Sequence, residues 1–385
     1  MQEAYIIQAK RTAIGKSGKG SLAQVRPDDL GAYVIQDILK NVPSLKTSEI
    51  DDCVIGCSFP EGEQGMNVAK IMAMRAGLPT DVPGVTINRF CSSGLQAISM
   101  AADRIRLGEA DIMISGGVES MSLVPMGGAK VAPNPFMIEN CPEVYLSMGI
   151  TAENVAKKYE VTREQQDAFA VASHQKAWAA QSSGRFDEEI VPVLLPSWGK
   201  PGENWFNKDE GIRPETTLES LAKLRPAFLN GGMVTAGNSS QTSDGAAITL
   251  LMSERKVKEL GLKPIAVWRG FTVAGVEPEL MGIGPIKAIP KVLKQVGLTL
   301  ADIDLFELNE AFASQSLAII KTLDIDLAKV NVNGGAIAFG HPLGCTGAKL
   351  TATLLHEMTK RKLKYGMVTM CVGGGMGAAG VYELL

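Results

Sequence analysis

The chain has 385 residues, enough for two or three domains at roughly 100–200 residues each, and 45% hydrophobic against 21% charged residues suits a globular protein with a sizeable core. With 38 Lys+Arg against 41 Asp+Glu the formal charge is −3, which argues against a surface built to coat nucleic acid or an anionic membrane, and 5% aromatics make a stacking platform for single strands a poor fit. Three histidines are too few for a histidine-built metal cluster.

The first twenty residues carry no apolar signal region, and no run reaches the ~18 uninterrupted apolar residues of a membrane span, so a reducing cytoplasm is the expected compartment. Strand-like runs are predicted at 5–9, 53–57, 85–88, 111–115, 265–272, 305–308, 330–333 and 368–372, with helices following most of them, as at 94–107 and 347–361. This alternation predicts a mainly parallel, helix-covered α/β sheet. The six cysteines are dispersed; Cys53 and Cys57 lack a second pair that would complete a metal site, and are expected to pack within their strand.

The pattern occurs twice. Ile50 to Phe59 and Ile303 to Phe312 are both separated by 9 residues, and Gly94 and Gly347 each follow the corresponding isoleucine by 44, an overall offset of 253. We read a duplicated α/β unit, with 1–118 plus 245–262 as the first half and 263–385 as the second. Residues 119–244 differ in character: Met/Pro/Gly-rich turns, a long helical stretch at 162–182, then loops holding Trp198 and Trp205. They read as an inserted loop domain, the usual place for ligand-binding segments.

Four segments offer chemistry. Cys91 in TINRFCSSGLQAI sits where a strand gives way to a helix, where unpaired N–H groups favour a thiolate, although taken alone a buried packing cysteine is the plainer reading. His341 in NGGAIAFGHPLGCTGA is enclosed by glycines that permit close backbone approach, and it stands three residues before the position equivalent to Cys91. Across a pseudo-twofold axis the two loops would meet and bring a base to a thiol. In CVGGGMGAAG, Cys371 ends a strand, and the glycine run from Gly373 offers N–H groups to an oxyanion. Asn309 and Glu310 in ELNEAFA lie at a strand-to-helix junction, where Asn309 could equally be a helix cap. His174 and His356 are expected to be surface or packing residues, His356 facing solvent.

The ordered set CSSGLQA, VTAGNSSQTSDGAA, ELNEAFA, NGGAIAFGHPLGCTGA and CVGGGMGAAG, spanning essentially the whole chain, resembles the thiolases. The resemblance implies two similar α/β halves in a layered α-β-α-β-α sandwich with an inserted loop domain. It further implies that Cys91 is the acylated nucleophile, His341 its base and Cys371 the proton shuttle to the acetyl-CoA methyl carbon. Asn309 would hold a water in one oxyanion hole, and the N–H groups of Cys91 and Gly373 would form a second. Arg213, Ser220 and Ser240, with Ala236 nearby, would contact coenzyme A. No metal or redox cofactor is implied; coenzyme A thioesters are substrates. A homodimer or homotetramer is expected, and a hydratase/dehydrogenase partner stays open.

Within the family the motifs resemble the degradative 3-ketoacyl-CoA thiolases of fatty-acid β-oxidation. The acetoacetyl-CoA branch usually carries Cys-Gly-Ser-Gly around the nucleophile and a histidine before Met-Gly, where this chain has Ser147. The alternatives are an acetyl-CoA acetyltransferase and, from another class, a CoA-binding partner subunit without turnover. A decarboxylating ketoacyl synthase would need a second active-site histidine. Phe339 stands where family members usually have Leu, and would either narrow the acyl pocket or simply repack.

Overall fold

The computed structural model describes residues 2–196 and 204–385, so Trp198 lies outside the described residues. In the first half β1 (Ala4–Thr12) is followed by α1 (Pro27–Asn41), β2 (Asp52–Gly56), α2 (Val68–Arg75), β3 (Val85–Ile87), α3 (Ser93–Leu107) and β4 (Ile112–Ser120). Residues 121–242 hold α4 (Met148–Lys158), α5 (Arg163–Ser182) and α6 (Leu218–Ala222), after which β5 (Ser243–Ser253) returns to the sheet. The second half contains β6 (Ala266–Gly275), α7 (Gly284–Val296), β7 (Leu305–Leu308), α8 (Ala313–Leu323), α9 (Thr346–Arg361), β8 (Tyr365–Val372) and β9 (Met376–Leu384). Among the described residues no helix is long and apolar enough to cross a membrane.

The strands run in the order β7-β8-β9-β6-β1-β5-β4-β2-β3, the halves meeting where Tyr5 and Ile6 of β1 pair with Val267 and Ala266 of β6. Period-two alternation sends side chains to both faces. In β4, Ile112 and Ile114 enter the core beneath α1 and α2, while Met113 joins a second core around α3 and α9. In the second half, Phe306 and Leu308 face a third core formed with α7 and α8, and Leu305 faces α3 and α9. The layers are therefore α1/α2, sheet, α3/α9, sheet, α7/α8. Both faces of each sheet are covered, which is why β4 and β5 are buried at every residue.

Two expectations need correction. The sheet is mixed rather than mainly parallel: β2–β3, β2–β4 and β7–β8 are parallel, but β1, β5, β6 and β9 form antiparallel pairs. A three-glycine turn between β8 and β9 forces them antiparallel, and β5 comes back from the insertion against both β1 and β4. The strand expected at 330–333 reduces to one bridge, Phe306 to Val330, because Asn331 turns into the left-handed region at φ 45°.

The 253-residue offset appears in space as α3 and α9 packed side by side in the middle layer. Their N-terminal ends touch through Gly94 and Gly347. A Cβ on Gly94 would lie 2.8 Å from the Ala348 nitrogen, and one on Gly347 would lie 2.4 Å from the Leu95 nitrogen. Only glycine permits this approach, and it brings the loops that precede the two helices together.

Candidate active site

Cys91 follows a tight turn between β3 and α3. The Asn88 side chain accepts the Phe90 N–H at 2.7 Å, and the Ser93 hydroxyl accepts the Arg89 N–H at 2.8 Å while donating to the Phe90 carbonyl at 2.7 Å. Phe90 sits at φ 43°, held by ring packing on Phe59 at 6.2 Å. Cys91 itself is 7% exposed and contacts Met121 and Leu343. The helix-terminus argument for a resting thiolate does not hold. Burial pushes the thiol up to about 12, and the charge of Glu119 acts in the same direction. The N–H groups of Cys91 and Gly373 point at the sulfur and pull the other way, too weakly to win. At rest Cys91 is a neutral thiol.

His341 lies in the turn before α9. Gly340 precedes it at φ 108°, a conformation that a side chain rarely adopts. The His341 N–H donates to the Gln241 carbonyl at 2.9 Å, Nδ1 is 2.6 Å from the Thr346 hydroxyl, and Nε2 is 3.4 Å from Asn309 Nδ2. With Nδ1–H donated to Thr346, Nε2 carries the lone pair and is the basic nitrogen, met by a long contact from the Asn309 amide. Burial lowers the imidazole to about 3, and the positive charge of Lys349 adds to this, so His341 is neutral throughout the working range. Asn309 is fixed by its backbone N–H to Thr369 O at 3.0 Å and by Gln315, which donates to its carbonyl at 2.9 Å; its Oδ1 is buried with no partner among the described residues.

Cys371, the penultimate residue of β8, is wholly buried beside Met281, Ala311 and Phe312, and burial together with the neighbouring Cys91 raises its thiol. Cys91, His341 and Cys371 line one cavity of ≈ 220 Å³, closed by Met148, Phe228 and Ser240 among others. A thiol, a neutral imidazole with its basic nitrogen toward Asn309, a second thiol and convergent backbone donors can together form and break a thioester.

Of the other expected ligand residues, one lines the cavity and three do not. Ser240 lines the cavity. Arg213 is exposed and reaches the cavity-lining Gln241 at 3.4 Å, with its own N–H held by His174 Nδ1 at 3.2 Å. Ser220 and Ala236 are exposed outside the lining, and the Ser220 hydroxyl is spent on the cap of α6, donating to Thr217 O at 2.8 Å. Of the remaining histidines, His174 packs as expected. His356 does not face solvent: it is largely buried, with Nε2 3.0 Å from the Ala9 carbonyl, because α9 lies between two sheets and has no open face. Cys53 and Cys57 pack in the first core.

Phe339 repacks. It is buried against Phe186 at 5.3 Å, edge to face, with Lys349 Nζ 4.7 Å above its ring, and it is absent from the cavity lining. Phe339→Leu is therefore expected to cost about 1 kcal/mol of stability through the lost ring contacts. Denaturant unfolding measures that cost, and the acyl chain-length profile of the variant should match that of the parent.

Sequence reasoning missed Thr346 as the partner of His341, Gln241 as the support of its backbone, and Glu119 beneath both loops. Thr346 had a signal, standing at the start of the second helix; Gln241 and Glu119 act through contacts that no local pattern encodes.

Residues 4–255 match the thiolase N-terminal domain and residues 262–384 the thiolase C-terminal domain. The chain belongs to the thiolase family. It is 58% identical, over the full length of both chains, to a 3-ketoacyl-CoA thiolase of Bacillus subtilis (strain 168). It is 47% identical to 3-ketoacyl-CoA thiolase B, peroxisomal, of Rattus norvegicus, covering 99% of this chain and 91% of that one. An acetyl-CoA acetyltransferase of Cupriavidus necator is 46% identical over 98% of each. The crystal structure of the Bacillus anthracis acetyl-CoA acetyltransferase superposes with a TM-score of 0.92 at 44% identity, covering 100% of this chain and 99% of that one.

Proposed function

We propose that this protein is a 3-ketoacyl-CoA thiolase that cleaves 3-ketoacyl-CoA with coenzyme A, giving acetyl-CoA and a shortened acyl-CoA. The observation that carries the reading is the convergence of Cys91, His341 and Cys371 on one largely apolar cavity. His341 takes the Cys91 proton as the sulfur attacks the 3-keto carbon. The C2–C3 bond then breaks, its electron pair leaving as the enolate of acetyl-CoA, and Cys371 protonates C2. The proton on His341 passes to the Cys371 thiolate, which resets both groups while the acyl group remains on Cys91; a coenzyme A thiol, deprotonated by His341, then displaces it as acyl-CoA, and the departing Cys91 thiolate takes that proton back.

Two donor sets suit the oxygens on which charge develops. The orphaned Asn309 Oδ1 can accept from a water whose other hydrogen faces the thioester oxygen beside His341. The N–H groups of Cys91 and Gly373 converge beside the nucleophile, where the acyl-enzyme carbonyl would sit. No step in this scheme uses a metal or a redox cofactor. Residues 119–244 supply the coenzyme A face, with Arg213 as its cation and Ser220, Ala236 and Ser240 as further contacts. A reducing, cytoplasmic setting suits six free cysteines. A homodimer or homotetramer would cover the exposed edge of β3, where Met66 is 93% and Val85 40% exposed.

The acetoacetyl-CoA branch is the second reading, favoured by the acetyltransferase names among the relatives. The chain-length profile separates the two. We expect kcat/KM on 3-ketohexadecanoyl-CoA to be comparable to or above that on acetoacetyl-CoA, and negligible long-chain activity would transfer the protein to the second reading.

A further inference from the structure

The duplication places a second copy of the Cys91 environment in the other half. The position 253 residues beyond Cys91 is Gly344, ahead of α9, and the position 253 residues before Gly373 is Ser120, at the end of β4. In the Cys91 copy the N–H groups of Cys91 and Gly373 face the thiol sulfur. In the other copy the protein fills the same place with its own groups. Gly344 N–H donates to Glu119 Oε2 at 2.7 Å, and Ser120 N–H donates to Gln64 Oε1 at 2.9 Å. Glu119 and Gln64 are joined at 2.5 Å, and Ser58 N–H donates to Glu119 Oε2 at 2.8 Å.

Glu119 is fully buried, and among the described residues no cation lies within 4 Å of it. Burial raises its carboxyl, yet the groups that meet its oxygens are the N–H donors of Ser58, Phe59, Gln64 and Gly344, with the Cys57 thiol at 3.6 Å. A protonated carboxyl would need an acceptor, and none of those N–H groups is one, so the arrangement fits a carboxylate. It stands beneath the cavity wall. Leu343, next to Gly344, packs on Cys91 together with Met121 and Phe59, and Phe59 follows the Ser58 that Glu119 also holds.

We propose that Glu119 is a positioning residue for Cys91: its carboxylate occupies the duplicated counterpart of the nucleophile's donor site and clamps the Gly344 and Ser58 loops, whose neighbours Leu343 and Phe59 pack against Cys91. Its negative charge adds to the burial that holds that cysteine as a thiol. The inference rests on Cys91 being the nucleophile. The other titratable groups facing the cavity are His341, ahead of α9, and Cys371, from β8; Cys57 and Cys345 are the thiols nearest Glu119 on the far side.

The test is the pH dependence of Cys91 alkylation by iodoacetamide, located by peptide mass mapping, in the unmodified protein and in three variants. Glu119→Gln and Glu119→Ser remove the charge, and either one that folds should lower the midpoint by about one pH unit, so that alkylation near pH 8 becomes roughly tenfold faster. Glu119→Asp keeps the charge and should hold the midpoint at its original value while kcat falls through the shortened reach to Gly344. A midpoint unchanged in the charge-removing variants, or shifted as far in Glu119→Asp, overturns the proposal. Thiolysis that survives complete Cys91 alkylation would instead overturn the assignment of the nucleophile, a separate outcome.

Discussion

Cys91→Ser is expected to lower kcat/KM for thiolysis by about 10⁴-fold or more. The substitution nearly preserves volume at a buried position, so the packing of Leu343 and Met121 on it should persist and the melting temperature should change little. What is lost is the proposed nucleophile. A hydroxyl is less acidic than a thiol, and the base proposed for it is an imidazole that burial lowers to about 3. The thiol itself needs help, since burial pushes it up to about 12 and the resting pair is therefore neutral. Proton transfer and carbon–sulfur bond formation must proceed together with oxyanion stabilisation, and an alkoxide asks too much of the same donors. Spectrophotometric thiolysis with 3-ketoacyl-CoA, alongside a thermal melt, separates lost chemistry from lost fold.

Cys371→Ala is expected to separate the two half-reactions. Acetyl transfer from acetyl-CoA to Cys91 needs Cys91, His341 and the oxyanion donors, and should survive. Making or breaking the C2–C3 bond needs a proton carrier at C2 and should fall about 10³-fold. Exchange of labelled coenzyme A into acetyl-CoA follows the first process, and thiolysis of acetoacetyl-CoA follows the second. Because Cys371 is wholly buried against Met281 and Phe312, its truncation should also cost about 1–2 kcal/mol. A comparable loss in both assays would mean that Cys371 serves acylation as well, and its role as the acid that protonates C2 would fail.

Much of this arrangement is legible in the amino-acid order. The 253-residue offset marks both middle-layer helices, and Thr162 with Gln165 forms the capping box that opens α5. Cys91, His341, Cys371 and Asn309 stand out because strand ends and glycine-rich turns leave reactive side chains where backbones converge. Other elements were hidden for physical reasons. β5 opens with Ser-Asp-Gly, residues that usually signal a turn, although every residue of it is buried. β9 begins directly after three glycines, so its small residues read as loop. α9 misleads because it is a middle-layer helix: Lys349, Thr353 and Glu357 look like a solvated face, but they are buried, and Thr353 donates to Glu189 at 2.9 Å while Glu357 accepts from Asn333 at 2.9 Å. Glu119 could not be found locally at all, since its bond to Gly344 spans 225 residues.

The most direct measurement is intact-protein and peptide mass spectrometry after incubation with acetyl-CoA. An adduct of about 42 Da, an acetyl group in place of one hydrogen, should be confined to the peptide holding Cys91 and should vanish on addition of coenzyme A. No adduct, or one carried by Cys371 or another cysteine, would contradict the acyl-Cys91 intermediate on which the whole account depends.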